Sequence, residues 1–352
     1  PVAVRAHATV TFEAAKPGLV LPEAAPYTGR LHIRPIGIPA VARREHPASY
    51  QMITKAIAGA FPEAAPGWHK GTAGAILIVG GSEGLTGAPH LAARAALRAG
   101  GGLISVAAPH GLCRDIKADC PDIMTRALGP AGNVRWSPAL LEELLPFLRQ
   151  CGAMVLGPGI GREPETAAFV QALLMCPSRP SAVVDADALH ALAMHPEALS
   201  SLRACDVLTP HPGEAATLLH TTPALVQADR FAALAGLRRL APSVWILKGA
   251  GTLIGTEGQP VTIAPYAEPN LAVGGSGDVL SGCLGTLMAQ TAAHPSEGCE
   301  SSSFLAACMG VHLHARAGRL LREAFPQRGN SATDIAEMLP RARIREAAGD
   351  GA

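Results

Sequence analysis

The sequence predicts an α/β protein built on a central, mostly parallel β-sheet with helices on both faces. Two observations carry this. Six short apolar runs are continuous rather than alternating, which requires burial on both faces of the sheet. Most are punctuated by Gly, Pro or Asp and followed by a helix-like stretch, the rhythm of βαβ units. Abundant Gly and Ala suit close helix-on-sheet packing, and 352 residues with 48% apolar content supply a sizeable core.

The first forty residues depart from this rhythm. Ala8-Thr9-Val10-Thr11-Phe12 and Leu31-His32-Ile33 read as short strands separated by the turn signals Lys16-Pro17-Gly18 and Leu21-Pro22. Two such strands are too few for a domain, so they are expected to belong to a larger sheet absent from this chain or to lie on the main body. A boundary is expected after Gly37-Ile38-Pro39, with 1–40 as one unit, 41–66 as linker and 67–345 as the main domain. The alternation then begins. Ala75–Val79 ends in Gly80-Gly81 and leads into a helical stretch from Ala88 to Ala99. Strands follow at Leu103–Ala107, Ala153–Leu156, Ala182–Val184, Asp206–Leu208 and Val244–Leu247, with Thr252-Leu253-Ile254 continuing the last as a hairpin.

In such sheets ligands sit beyond the carboxyl ends of the strands. The first strand end carries Gly80-Gly81-Ser82-Glu83-Gly84-Leu85-Thr86-Gly87-Ala88, which is neither a GxGxxG fingerprint nor a Walker A loop. The third carries Gly157-Pro158-Gly159-Ile160-Gly161, a turn or a bare floor for a flat ligand. The fourth carries Asp185 and Asp187, two carboxylates able to hold Mg²⁺ through water, Asp187 being equally suited to cap the next helix. At the fifth, His211 stands stiffly between Pro210 and Pro212, with Glu214 at the head of a helix. At the sixth, Lys248-Gly249-Ala250-Gly251-Thr252 puts a lysine where burial is costly unless it meets an anion. The strongest element is Gly274-Gly275-Ser276-Gly277-Asp278, a Gly-rich turn entering a helix. The free N–H groups of Gly275, Ser276 and Gly277 and the helix dipole form an anion site, and Asp278 stands where it can take a proton from an attacking alcohol. A plain helix N-cap is the structural alternative.

Bulk charge adds exclusions. Lys plus Arg (29) balances Asp plus Glu (28), so no basic surface for nucleic acid is expected and an anionic ligand must be held locally. The eight cysteines form no CxxC pair, and buried free thiols in a cytoplasmic protein are the expectation. No apolar run reaches membrane-spanning length. The opening Pro1-Val2-Ala3 has neither a secretory signal nor an initiator Met, so a processed or partial chain is expected.

Taken together and in order, these segments, with His69-Lys70-Gly71, resemble the ADP- or ATP-dependent NAD(P)H-hydrate dehydratases of the ribokinase-like superfamily, from about Trp68 to Arg343. The first forty residues, closing on Ile36-Gly37-Ile38-Pro39, resemble the C-terminal end of an NAD(P)H-hydrate epimerase domain, as in bifunctional bacterial repair enzymes; its catalytic front is missing and no epimerase activity is expected. The resemblance implies phosphorylation of the ring hydroxyl of hydrated NADH or NADPH by ADP (or ATP) with Mg²⁺, then loss of phosphate. It implies that Lys248, Gly249, Ala250, Gly251, Thr252 and Gly277 contact the adenine nucleotide. Ala88, Gly159, Gly161, His211 and Asp278 would contact the substrate, with Asp278 as base. It also implies a homo-oligomer, tetramers being common. A related thiazole or pyrimidine kinase is the alternative enzyme, and a non-catalytic nucleotide-binding subunit the alternative class. A Rossmann oxidoreductase fails on the missing fingerprint.

Overall fold

The computed structural model describes residues 3–64, 66–293 and 302–344. Ten strands form one sheet: β3 (Tyr50–Met52), β4 (Ala75–Val79), β5 (Leu103–Pro109), β6 (Met124–Leu128), β7 (Ala153–Leu156), β8 (Ser181–Val184), β9 (Val207–Leu208), β10 (Val244–Leu247), β11 (Leu253–Gly255) and β12 (Val261–Ile263). Their order is β3-β12-β11-β10-β9-β8-β7-β4-β5-β6. From β6 to β10 every pairing is parallel, β11 is antiparallel to both its neighbours, and β3 runs parallel to β12. The fold class is thus the expected one.

Strand pleating explains the continuous apolar runs. In β4, Ile76 and Ile78 enter the core layer on one face, while Leu77 and Val79 enter the layer on the other. The helices Gly87–Arg98, Ser276–Ala293, Ser302–Leu320 and Ala332–Ala342 cover the first face. Pro164–Met175, Asp187–Met194, Pro212–Leu218 and Arg230–Leu240 cover the second. Gly282 is needed for this packing: a Cβ there would lie 1.9 Å from the Ala92 carbonyl oxygen, so only glycine lets the two helices meet this closely.

Within the stretch read as a linker, Tyr50–Met52 forms the edge strand β3, and Ile53 and Phe61 are buried in the core. Strands β3, β6 and β12 were not anticipated, because they are short, partly polar or exposed. The two N-terminal strands, β1 (Ala8–Phe12) and β2 (Arg30–Arg34), pair parallel in a sheet of their own, and Val20 and Leu21 between them pack on the main body. Among the described residues no helix is long and apolar enough to cross a membrane. Seven described cysteines are in no disulfide; four are buried and Cys151, Cys176 and Cys205 half-buried, while Cys299, with Pro1 and Val2 of the opening segment and Arg345 at the expected domain end, lies outside the described residues.

Candidate active site

The chain turns back at the middle of the sheet: β4 leads outward to β5 and β6, then β7 returns to the other side of β4. At this switch point the two Gly-rich turns lock together. Gly81 N–H donates to the Pro158 carbonyl at 3.0 Å, and a Cβ on Gly80 would lie 2.3 Å from that oxygen. The Cβ that Gly159 lacks would come within 3.1 Å of the Ala88 Cβ, so these two sequence-predicted contacts adjoin each other. Gly161 N–H donates to Asp187 Oδ2 at 3.2 Å, and Arg162 Nε to Asp187 Oδ1 at 2.6 Å. Asp187 therefore does not cap its helix. It is spent on the neighbouring turn, and Ala186 enters that helix with φ +52°.

Beside this lies a group of charged side chains drawn from three strand ends and a helix start. Lys248, at the end of β10, donates to Asp185 Oδ1 at 2.7 Å and stands 3.7 Å from Glu214 Oε2. The lysine thus meets the anion its position demands. Burial opposes its charge, but Asp185, Glu214 and Asp278 outweigh it and hold its pKa above the ordinary value. Glu214 and His211 close a capping box on the helix Pro212–Leu218. His211 Nδ1 accepts from the Gly213 and Glu214 N–H groups, and Glu214 Oε2 accepts from His211 N–H at 2.7 Å. Burial, then Lys248, depresses the His211 pKa, and Nδ1, accepting from two N–H groups, leaves the ring proton to Nε2.

Asp278 lies in the first turn of the long helix Ser276–Ala293. Burial first, then the charge of Asp185, pushes its pKa up to about 7, against the pull of Lys248. Glu214 is pushed to about 7 for the same reasons. Around the helix start Gly275 has φ +88°, a conformation glycine adopts without strain. The N–H groups of Gly275 and Gly277 have no protein acceptor among the described residues. That of Ser276 differs from expectation: it donates to the Val273 carbonyl at 3.2 Å, which leaves this residue's hydroxyl as its polar group toward the site. That hydroxyl is paired with His314 at 3.1 Å, a ring whose pKa burial lowers to about 4. The Lys248 ammonium and Asp185 Oδ2 would lie 3.5 and 3.8 Å from a Cβ on Gly277.

A cavity of about 740 Å³ opens between this helix start and the turn after β10. Lys248, Gly249, Ala250, Thr252, Ser276 and Gly277 line it, with His211 at its edge. Gly251 does not; it faces away, against Leu21 and Pro22. Ala88, Gly159 and Gly161 stand apart from this cavity, beside a second one of about 550 Å³ reached by Ser82 and Ile160. Leu271, from the segment that leads into the Gly-rich turn, also lines the first cavity, as do Tyr266 and His314, which lie in no motif and carried no sequence signal. Among the described residues no group of three or more His, Cys, Asp or Glu is placed to hold a metal ion, and Asp185, the sequence candidate for Mg²⁺, is ion-paired to Lys248.

The sequence profile of the NAD(P)H-hydrate dehydratase family matches residues 76–341. The chain is 40% identical over 340 residues to the bifunctional NAD(P)H-hydrate repair enzyme Nnr of Moorella thermoacetica, covering 96% of this chain and 62% of that protein. It is 35% identical to the enzyme of that name from Coxiella burnetii, covering 95% and 63%. The chain therefore spans somewhat under two thirds of the length of these relatives. Among solved structures, a ribokinase-like superfamily protein from Enterococcus faecalis superposes with a TM-score of 0.69 at 21% identity, covering 84% of this chain and 95% of that one. The ADP/ATP-dependent NAD(P)H-hydrate dehydratase of Bacillus subtilis, co-crystallised with ATP and Mg²⁺, gives 0.64 at 21%, covering 82% and 96%. At this identity both likenesses concern the fold.

Proposed function

Since the chain belongs to the NAD(P)H-hydrate dehydratase family, we propose that it restores hydrated NADH or NADPH to the reduced dinucleotide, with ADP or ATP as phosphoryl donor and Asp278 as base. The observation that carries this is the position of Asp278. It stands at the foot of a long helix whose first N–H groups face a nucleotide-sized cavity, within the field of Lys248 and Asp185. The nucleotide lies in the 740 Å³ cavity, with its phosphates toward Gly275, Gly277 and Lys248. The hydrated nicotinamide ring comes from the side of Ala88, Gly159 and Gly161. Mg²⁺ arriving with the nucleotide would meet Asp185 Oδ2 and Asp278 through water.

The chemistry then balances. Asp278 takes the proton of the ring hydroxyl, whose oxygen attacks the terminal phosphorus. The bond to the bridging oxygen breaks, and AMP leaves if ADP is the donor. The carbon–oxygen bond of the new ester breaks next. Phosphate departs with that bond's electron pair, and a proton leaves the adjacent ring carbon to restore the double bond. Residues 1–40 are read as the end of a preceding epimerase unit, with the dehydratase body beginning at the edge strand β3 rather than at residue 67. We further read the chain as cytoplasmic and as a homo-oligomer.

An assay decides the reading. Hydrated NADH plus ADP should regain the absorbance of the reduced nicotinamide, with one AMP and one phosphate per turnover. No regain with either ADP or ATP, over either hydrated dinucleotide, sinks it. The pH profile is a second test. A base must be unprotonated, and Asp278 is held near 7, so kcat/KM should rise with pH through about 7 and level off above it. A limb near 4, the range of an ordinary carboxylate, would remove Asp278 from that role.

A further inference from the structure

The turn Lys248–Thr252 is held from behind by a residue that carried no motif signal. Arg230 opens the helix Arg230–Leu240 and is 8% exposed. Its guanidinium reaches three carbonyls of this turn and of the strand before it. Nη2 donates to Leu247 at 3.1 Å and to Gly251 at 3.4 Å, and Nη1 donates to Lys248 at 3.3 Å. Nη1 also donates to Gln227 Oε1 at 2.9 Å. A Cβ on Gly249 would lie 2.8 Å from Nη1, so the turn is wrapped directly on the guanidinium. A lysine cannot reproduce this, because its single ammonium lacks the planar fork.

The other side of the same turn is closed by the N-terminal unit. A Cβ on Gly251, which has φ +64°, would meet Pro22 Cδ at 2.8 Å and Leu21 Cδ2 at 3.1 Å. Leu21 and Val20 pack against the core layer on this face of the sheet, and the charge of Glu23 acts on Arg230, favouring its protonated form against the effect of burial. The turn is thus gripped between a buried guanidinium and a segment from outside the dehydratase body.

We infer that Arg230 is a positioning residue for the donor nucleotide, and that Leu21 and Pro22 form the outer brace of the same clamp. The inference rests on the reading of Lys248–Thr252 as the nucleotide contact. Neither Arg230 nor Leu21 lines the cavity, so both act through the turn. The preceding unit thereby bears on how tightly the nucleotide is held without supplying a group to it.

The test is ADP binding by calorimetry on the full chain, with kinetics and melting alongside, for Arg230→Lys, Arg230→Met, Leu21→Ala and Pro22→Ala. Each Arg230 variant should weaken ADP about tenfold or more, as expected on losing charged hydrogen bonds that shape a site. The KM for hydrated NADH and kcat at saturating ADP should stay within about twofold. Leu21→Ala and Pro22→Ala should shift ADP affinity in the same direction and less, and they carry the test if the Arg230 variants fail to fold. ADP affinity unchanged in every folded variant overturns the inference. So does a fall in melting temperature with all kinetic constants worsening together, which marks a merely structural role. Wild type that binds ADP but restores neither dinucleotide with ADP or ATP defeats the proposed function and leaves the clamp standing; wild type that binds no ADP defeats the clamp.

Discussion

Asp278→Asn should reduce turnover by about 10³-fold, within the range for loss of a general base, with ADP affinity nearly unchanged. Asn keeps the shape at the helix start and leaves Lys248 paired with Asp185 at 2.7 Å, so no cation is stranded. The same substitution should stabilise the fold at alkaline pH. In the unfolded chain an aspartate titrates near ~4, whereas burial and Asp185 hold Asp278 near 7. Between these values the folded state binds the proton that the unfolded state has released, so stability falls as pH rises from about 4 to about 7, and the full cost is present above 7. The variant escapes that cost. Its melting temperature should exceed wild type at pH 8 and converge with it near pH 4. Single-turnover rates and melting at both pH values check the two halves separately. Normal turnover by the variant removes Asp278 from the chemistry; no melting gain at pH 8 removes the charge crowding.

Lys248→Met should have the second-largest effect, on both stability and nucleotide binding. Lys248 sits among Asp185, Glu214 and Asp278, the first of which is 2% exposed at its side chain. Removing one partner of a buried pair leaves the other charge uncompensated. The loss should be roughly 3 kcal/mol, the low end of that class, because the lysine keeps some contact with solvent. The ammonium also lies beside Gly277, the position proposed for the phosphates, so ADP should bind at least about tenfold more weakly, the size of a lost charged hydrogen bond. Without the cation, Asp278 loses the charge that pulls its pKa down, so the rise of activity with pH should move to more alkaline values. Denaturant unfolding, calorimetry with ADP and a pH profile read these in turn. Unchanged ADP affinity would remove Lys248 from the donor site.

The sequence was informative where local chemistry decides the outcome. Continuous apolar runs marked the double-sided strands, with β4, β7 and β10 matching to the residue, because no other short element buries every side chain. Punctuating residues marked the strand ends, where the rule for open α/β sheets already places ligands. Strand β3 escaped because Tyr50–Met52 is exposed and is recruited by pairing with β12, over two hundred residues away. The roles at the fourth strand end also needed three dimensions. Asp185 and Asp187 read alike in sequence, yet one meets Lys248 and the other Gly161 and Arg162.

By itself, then, the sequence determined the parallel sheet, the positions of the Gly-rich turns and the identity of Asp278 at a helix start. Those follow from periodicity and backbone freedom, which are local. Only the tertiary structure decided which side chains share a field. It joined Lys248, Asp185 and Glu214 from separate strand ends with Asp278 from a helix start, spent the Ser276 N–H on Val273, and set Arg230 and Leu21 behind the turn Lys248–Thr252. Burial and through-space charge depend on packing between remote segments, and no short window of sequence contains them.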